Sequence, residues 1–423
     1  MKKEWLIKTF ALGVVVLFFR AIVTPSIGGD FVNTNEIFSK GLVSSSEIDW
    51  WPMFRHDPQH SGNTSSPGPI TNNILWRFDT GHNIYSNPAI VNDRVYVGSF
   101  SKLYCLDALT GESIWEFTVG DSIRSSPCVY DNKVIFNSRD GVLYCVDAEN
   151  GSKIWTFFAN IDEQNSPTAV DGKVFFGSES YQNNKGVIYC LNVEDGSVLW
   201  YLNTNESRFS SPAYIDGKIY IGTVRNSQLF WIFPLFIYCL DADSGDIQWK
   251  KTIGFNKLPY APEVSLCEDK LYFGVSSIFG GKVGCLNAQT GNFIWRYYTD
   301  FVWNCWWVVT ISAPSIAYDR IYFEIADFIK DTNEVRCLDA NSGKHIWTFK
   351  DGAGTPIISD GKVYFGSSEV KVTFPKGTIY CLDAENGSII WKYKTYNDVI
   401  SAPSIVNGRM YIGTLIDKVL CFG

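Results

Sequence analysis

After about residue 70 the chain alternates apolar and polar residues over short runs, broken by Asp-Gly, Asn-Gly and Ser-Gly pairs. "SSPAYIDGKIYIG" followed by "YCLDADSGDIQWKK" is typical. An inner strand starts after Pro212, turns at Asp216-Gly217 and returns as "KIYIG"; a third strand "IYCLDA" turns at Ser244-Gly245 into a fourth that runs through Trp249. Period-two alternation with glycine at the turn predicts antiparallel hairpins, because glycine takes φ > 0 without a Cβ clash.

The four-strand unit repeats. "YCLDALTGESIW", "YCVDAENGSKIW", "YCLNVEDGSVLW", "YCLDADSGDIQW", "GCLNAQTGNFIW", "RCLDANSGKHIW" and "YCLDAENGSIIW" end at Trp115, Trp155, Trp200, Trp249, Trp295, Trp347 and Trp391. In each, the Cys lies ten residues before the Trp. A sheet that cannot bury both faces alone must stack on its neighbours, and this period has the length of a propeller blade. The C-terminal "SAPSIVNGRMYIGTLIDKVLCFG" supplies three strands without a Trp strand; "NNILWRFDTG", with Trp76, supplies the fourth near the start. The predicted fold is therefore all-β: an eight-bladed β-propeller of four-stranded antiparallel blades, the last blade closed by an N-terminal strand so that no sheet edge is left open at the join. The expected organisation is 1–29 a signal peptide or N-terminal membrane anchor, 30–50 a linker, 51–72 a leader packing on the propeller, and 73–423 the propeller itself.

Composition agrees with many short strands: 16% aromatic residues, 35 Gly and 3 Met. A net charge of -8 without a Lys or Arg run excludes a nucleic-acid groove. Residues 1–29 carry Lys2 and Lys3, an apolar run from Thr9 to Phe19, then Arg20 and Pro25, a pattern closer to a signal peptide than to a full membrane span. The chain is expected to be exported, to the cell surface or outside the cell. Eight of the 11 Cys share one repeat position, where a small apolar side chain fits between sheets and no disulfide can reach the next blade. Cys128, Cys267 and Cys305 stay unassigned. Sequons at Asn63, Asn150, Asn205 and Asn386 are compatible with export.

The "LDAxxGxxxW" repeat, the Ser-x-Pro opening of the inner strands and the leader "WPMFRHDPQHSG" at 51–62 resemble the pyrroloquinoline-quinone-like (PQQ-like) repeat family of eight-bladed propellers, on its non-dehydrogenase branch. The resemblance covers about residues 51–423. It implies the fold but not one function, since the family holds quinoprotein dehydrogenases, a lipoprotein of outer-membrane assembly and non-catalytic surface or sensor proteins. The dehydrogenases imply adjacent cysteines in a disulfide over the quinone, a calcium held by carboxylate and amide groups, and an Asp base. This sequence has no adjacent Cys pair and no Cys-x-x-Cys-His haem motif. Glu324, in the place of a strand-end Gly, and Glu263, on an inner strand, are the carboxylates left for PQQ and calcium. No cofactor is predicted; PQQ with calcium is the alternative.

The repeated Asp slot (Asp107, Asp147, Asp241, Asp339, Asp383) reads as a turn cap rather than a metal ring, and the repeated Trp as packing between blades. His56 and His60, four apart around Asp57, read as part of a loop sealing one propeller face rather than as metal ligands, because no third ligand accompanies them. No nucleophile elbow, P-loop or His-Glu-x-x-His is present. Departures from the repeat say more. The connections that lengthen in blades four to seven all emerge on one rim, and they bring aromatic side chains: Phe230, Trp231, Phe233 and Phe236 in one, Phe301, Trp303, Trp306 and Trp307 in "FVWNCWWVVT". With Arg124 and Arg208 near the channel mouth, these form the expected binding face for a protein, a glycan or a membrane surface.

Overall fold

The structure, a computed structural model, describes residues 48–423 except 160–164, 180–184, 226–232, 257–259, 276–280, 300–308, 328–331, 353, 370–375, 396–398, 400 and 416. No helix among the described residues is long and apolar enough to cross a membrane. Blade 1 is built from Ala89–Val91, Arg94–Ser99, Lys102–Asp107 and Ser113–Thr118, paired antiparallel in that order from the axis outward. Seven further sheets repeat this order round the ring, and the eighth closes by pairing Ile74–Asp79 with Lys418–Phe422. The eight-bladed propeller and its closure from both ends of the described chain are as the repeat predicts.

The register explains the ten-residue Cys-to-Trp spacing. Cys105 faces Trp115 across the two outermost strands, and Cys145 faces Trp155, as in every other blade; Cys421 faces Trp76 in the closing one. One step further the pairing shifts by a residue: Leu106 faces Ser113, so Ile114 is the extra residue of a bulge. The shift turns Ile114 and its counterparts Ile154, Leu199 and Ile294 towards solvent, while the tryptophan turns inward. Each indole N–H then donates to the next blade: Trp115 to the carbonyl of Ala148 at 3.1 Å, Trp200 to that of Ala242 at 3.0 Å, Trp347 to that of Ala384 at 3.1 Å. The indole also lies on the glycine of that blade's turn. A Cβ added at Gly151, whose φ is +71°, would come 2.7 Å from the Trp115 ring. The whole "LDAxxGxxxW" string is thus a docking device between consecutive blades. At the join, where blade 8 ends without such a turn, Trp391 donates to the Pro69 carbonyl at 3.2 Å and stacks on Phe422.

The repeated carboxylates cap turns. Asp107 Oδ1 accepts from the amides of Leu109 and Thr110, and Asp383 Oδ1 from those of Glu385 and Asn386. The repeat cysteines are fully buried free thiols, and burial pushes the Cys105 thiol up to about 12. Cys128 is likewise a buried free thiol and Cys267 an exposed one; Cys305 lies outside the described residues. Val309–Ile311 forms a short strand ahead of the inner strand of blade 6. It pairs with Arg320–Asp327 in line with Ser315–Ala317.

Candidate functional site

The leader decides which face is free. Ile90 of blade 1 exchanges backbone bonds with Trp51, and the inner-strand amides of Val129, Tyr214, Leu266, Ile316 and Ile358 donate to the carbonyls of Pro52, Pro58, Gln59, Ser61 and Gly62. Asn63–Thr64 then pairs in parallel with Ile357–Ser359, and the Gly408 amide of blade 8 donates to Pro67. The segment visits blades 1, 2, 4, 5, 6, 7 and 8 in turn at the inner-strand ends, away from the rim that carries the long connections. Its centre is Arg55, 1% exposed, whose guanidinium donates to the carbonyls of His60 (3.1 Å), Ala313 (3.0 Å) and Pro314 (2.6 Å) and to Ser315 Oγ (2.9 Å). Burial lowers its pKa to about 10, against the opposing pull of Glu263 and Asp57. The two leader histidines have different partners. His56 lies between Asp49 (2.9 Å) and Asp57 (3.4 Å); His60 is fully buried by Thr168, and burial with the neighbouring Arg55 drives it down to about 3. They do not form a metal pair.

At the channel mouth Asn87, Ser126, Ser166 and Ser211, each just before an inner-strand proline, accept from a neighbouring blade in turn. The Ala402 amide donates to Asn87 Oδ1 (2.7 Å), Asn87 to Ser126 Oγ (3.1 Å), Ser126 to Ser166 Oγ (2.9 Å) and Ser166 to Ser211 Oγ (2.9 Å). Ser211 donates in turn to Glu263, which holds the same position in blade 5. Burial pushes the Glu263 carboxyl up to about 7, with the Ser211 amide and Arg55 pulling the other way. Glu324 is pushed up to about 7 by burial alone. A calcium with a quinone needs several oxygens converging on one point. Among the described residues the charge that acts on Glu263 is the Arg55 guanidinium, none acts on Glu324, and no three His, Cys, Asp or Glu side chains come together. The two carboxylates do not fit that group.

On the rim, Arg124 lies over the Tyr85 ring (4.6 Å) and lines a cavity of about 370 Å³ between blades 8, 1 and 2, with His82, Phe100, Asp121 and Arg139. Arg208 approaches the buried Glu179 at 3.7 Å in the wall between blades 3 and 4. The structure does not bring the two arginines to one place. Phe236 is core: 9% exposed, it packs between blades 3 and 4 beneath Arg225 and Lys250. Phe233 is half-buried against blade 5. Phe230, Trp231, Phe301, Trp303, Trp306 and Trp307 lie outside the described residues.

Two features escaped the sequence reading. The first is Glu206, fully buried and accepting from Arg225 (2.9 Å), Lys250 (2.9 Å) and the Tyr238 hydroxyl (2.8 Å). Burial works to raise its pKa, but Lys250, Tyr238 and Arg225 outweigh it and hold it below the ordinary value. The second is a series of exposed aromatics on the outer strands of blades 2 to 5: Phe158 (74% exposed), Tyr201, Phe255 and Tyr298 (64%). Aligning the repeats on Trp shows the signal for two of them, because the position three after it is Phe158 or Tyr298 in blades 2 and 5 and Asp79, Thr118, Asn203, Thr252, Lys350 or Lys394 in the others; Tyr201 and Phe255 fall at other positions.

These features define an eight-bladed propeller with its hub sealed on one side by a leader and its long connections on the other. A family model described as "Outer membrane protein assembly factor BamB" matches residues 68–297 and 331–422, and the chain belongs to that family of PQQ-like repeat propellers. A search of curated proteins finds no match. Among solved structures the chain resembles BamB from Moraxella catarrhalis, at 15% identity and TM-score 0.65 over 83% of this chain and 99% of that one. It also resembles a europium-containing methanol dehydrogenase, at 14% identity and TM-score 0.69 over 86% and 90%, and a quinohemoprotein alcohol dehydrogenase from Pseudomonas putida HK5, at 13% and 0.67 over 88% and 80%. At these identities the likeness is one of fold.

Proposed function

We propose that this chain is an exported, non-catalytic binding or assembly propeller that holds a protein partner on its rim, with residues 1–29 as signal peptide or membrane anchor. The observation that carries the reading is the exposed aromatic series on the outer strands of blades 2 to 5, at the rim ends in Phe158, Phe255 and Tyr298. Large rings left in water on one sector of a rigid scaffold are the usual mark of a protein interface. Family membership supports it, since the matched family is described as an assembly factor. Trp231, Trp306 and Trp307, which the sequence puts in lengthened connections, are included in the proposed binding face; a glycan or a membrane surface would use the same rings.

The test is site-specific photocrosslinking in the native cell from positions 158, 255 and 298, with 392 and 394 on blade 7 for comparison. A discrete protein adduct confined to the first group is expected; equal or absent adducts at both would overturn the reading. The second reading is a quinone- or metal-dependent oxidoreductase of the quinoprotein type, supported by the likeness of fold to the europium-containing methanol dehydrogenase and the quinohemoprotein alcohol dehydrogenase. Adding quinone and calcium to purified protein decides between them. A stoichiometric quinone spectrum with dye reduction would establish the oxidoreductase.

A further inference from the structure

At every junction but one, the residue two after the repeat Trp is aromatic or aliphatic. Phe117 meets Tyr144 of the next blade at 5.7 Å, Phe157 meets Tyr189 at 5.2 Å and Phe349 meets Tyr380 at 5.1 Å. Between blade 4 and blade 5 both partners change: the first position is Lys251, on the outer strand Ile247–Asn256, and the second is Gly284, on Lys282–Asn287. The Phe273 ring fills the space the missing tyrosine leaves, so closely that a Cβ on Gly284 would lie 2.5 Å from it.

Around this altered junction three cations gather on one ring. Lys251 Nζ is 5.2 Å, Lys282 Nζ 5.6 Å and Arg296 Cζ 3.6 Å from the centre of Phe293. Among the described residues none of the three has an acidic side chain within ion-pair distance. Several cations elsewhere are matched, Lys102 by Glu116, Lys133 by Glu194, Lys173 by Asp243 and Arg336 by Glu334, while others such as Lys153, Lys392 and Lys394 are not matched among the described residues; what sets this junction apart is three unmatched cations on one ring. Burial, and after it the charge of Arg296, lowers the Lys282 pKa to about 8, and the ammonium donates to the Ile253 carbonyl rather than to a carboxylate. The ring face offsets part of the repulsion, but no carboxylate balances it. Arg296 is exposed, as are Phe255 and Tyr298 on the same two outer strands.

We propose that the blade 4–5 junction is a docking site for a carboxylate-rich segment of a partner protein, with Lys251, Lys282 and Arg296 as its charge contacts and Phe255 and Tyr298 as its apolar border. Charge complementarity selects the occupant: three unmatched cations need anions, and rings flanking them suit a polypeptide better than a free ion. The inference rests on the reading of the aromatic sector as a protein-binding face and gives that face its ligand chemistry.

The test is fluorescence anisotropy of a labelled octaglutamate peptide titrated with the full chain. Binding should weaken between about 50 and about 200 mM salt, as screening requires. The Lys251→Glu/Arg296→Glu variant should bind about tenfold or more weakly. The Lys392→Glu/Lys394→Glu variant, which makes the same change in net charge on blade 7, should bind as the parent does. Lys251→Leu/Arg296→Gln restores the apolar residue that blade 3 has in Leu202, so it should fold at least as well and still lose the peptide. Equal losses in the blade 4–5 and blade 7 variants would reduce the effect to net charge and overturn the proposal. So would absence of peptide binding, or binding to vesicles containing phosphatidylglycerol but not to the peptide. A failure here with crosslinks intact at position 158 would remove only the acidic segment and leave the protein-binding rim standing.

Discussion

At the scale of single residues, the buried ionisable groups set how stability depends on pH. Burial opposes protonation of His56, but its bonds to Asp49 and Asp57 win and raise it to about 9. The folded chain therefore binds this proton more tightly than the unfolded one, whose histidine titrates near 6.5. The contribution is full below about 6.5 and is lost as pH rises to about 9. Glu324 has the same sign for another reason: its carboxyl, held up at about 7 by burial, costs stability once the unfolded group ionises. That cost is absent below about 4.5, grows between there and about 7, and is constant above. Melting temperature against pH should thus show Glu324→Gln equal to the parent near pH 4 and above it at pH 8. A constant offset would assign the gain to packing. In His56→Gln the decline between about 6.5 and 9 should disappear, while the loss in acid remains, because Asp49, Asp57 and the other carboxylates still take up protons there. Of these groups the sequence revealed the histidines but not their partners. Asp49 reaches His56 only because the leader curls back on itself, and nothing in the spacing of Arg55 announces that its charge is buried.

Among the elements, the blade-to-blade junction carries the order. Trp155, 7% exposed, gives its N–H to the Val193 carbonyl at 2.9 Å and lies on Gly196. Trp155→Ala should lower the unfolding free energy by about 3 to 5 kcal/mol, as large aromatic-to-alanine cavities do, read from the urea midpoint at unchanged slope. Gly196→Ala should also be costly, because φ is +72° and its Cβ would sit 2.8 Å from the same ring. A neutral result would show that the turn and indole can separate without loss. This level was legible in advance, because Cys, Asp, Gly and Trp recur at fixed spacing and each spacing has a geometric cause: cross-strand pair, turn cap, bulge and docking. What the pattern could not reveal was which exceptions matter. Phe236 lies in an insertion yet packs in the core because the blade 4 strands Phe233–Asp241 and Ile247–Asn256 continue past the usual rim, whereas Phe158 sits in an ordinary strand and is exposed.

For the whole molecule, the leader links blades that are far apart in sequence. Its carbonyls accept the inner-strand amides of Val129, Tyr214, Leu266, Ile316 and Ile358, so five separate blades depend on one path of backbone. Arg55 holds that path to Ala313, Pro314 and Ser315 in blade 6 alone. If the segment behaves as one strap, releasing it at blade 6 should loosen it everywhere. If it is a series of independent contacts, only Ile316 should respond. Native-state hydrogen exchange on Arg55→Met separates the two, because Met keeps apolar volume in the hub while removing all four donated bonds. The five amides should exchange faster together and by a similar factor, while amides of the outer pair Cys145 and Trp155, which the leader does not touch, keep their protection. Acceleration limited to Ile316 would show that the hub is stitched blade by blade. The ring would then owe its closure to the Trp76 strand and the indole contacts alone.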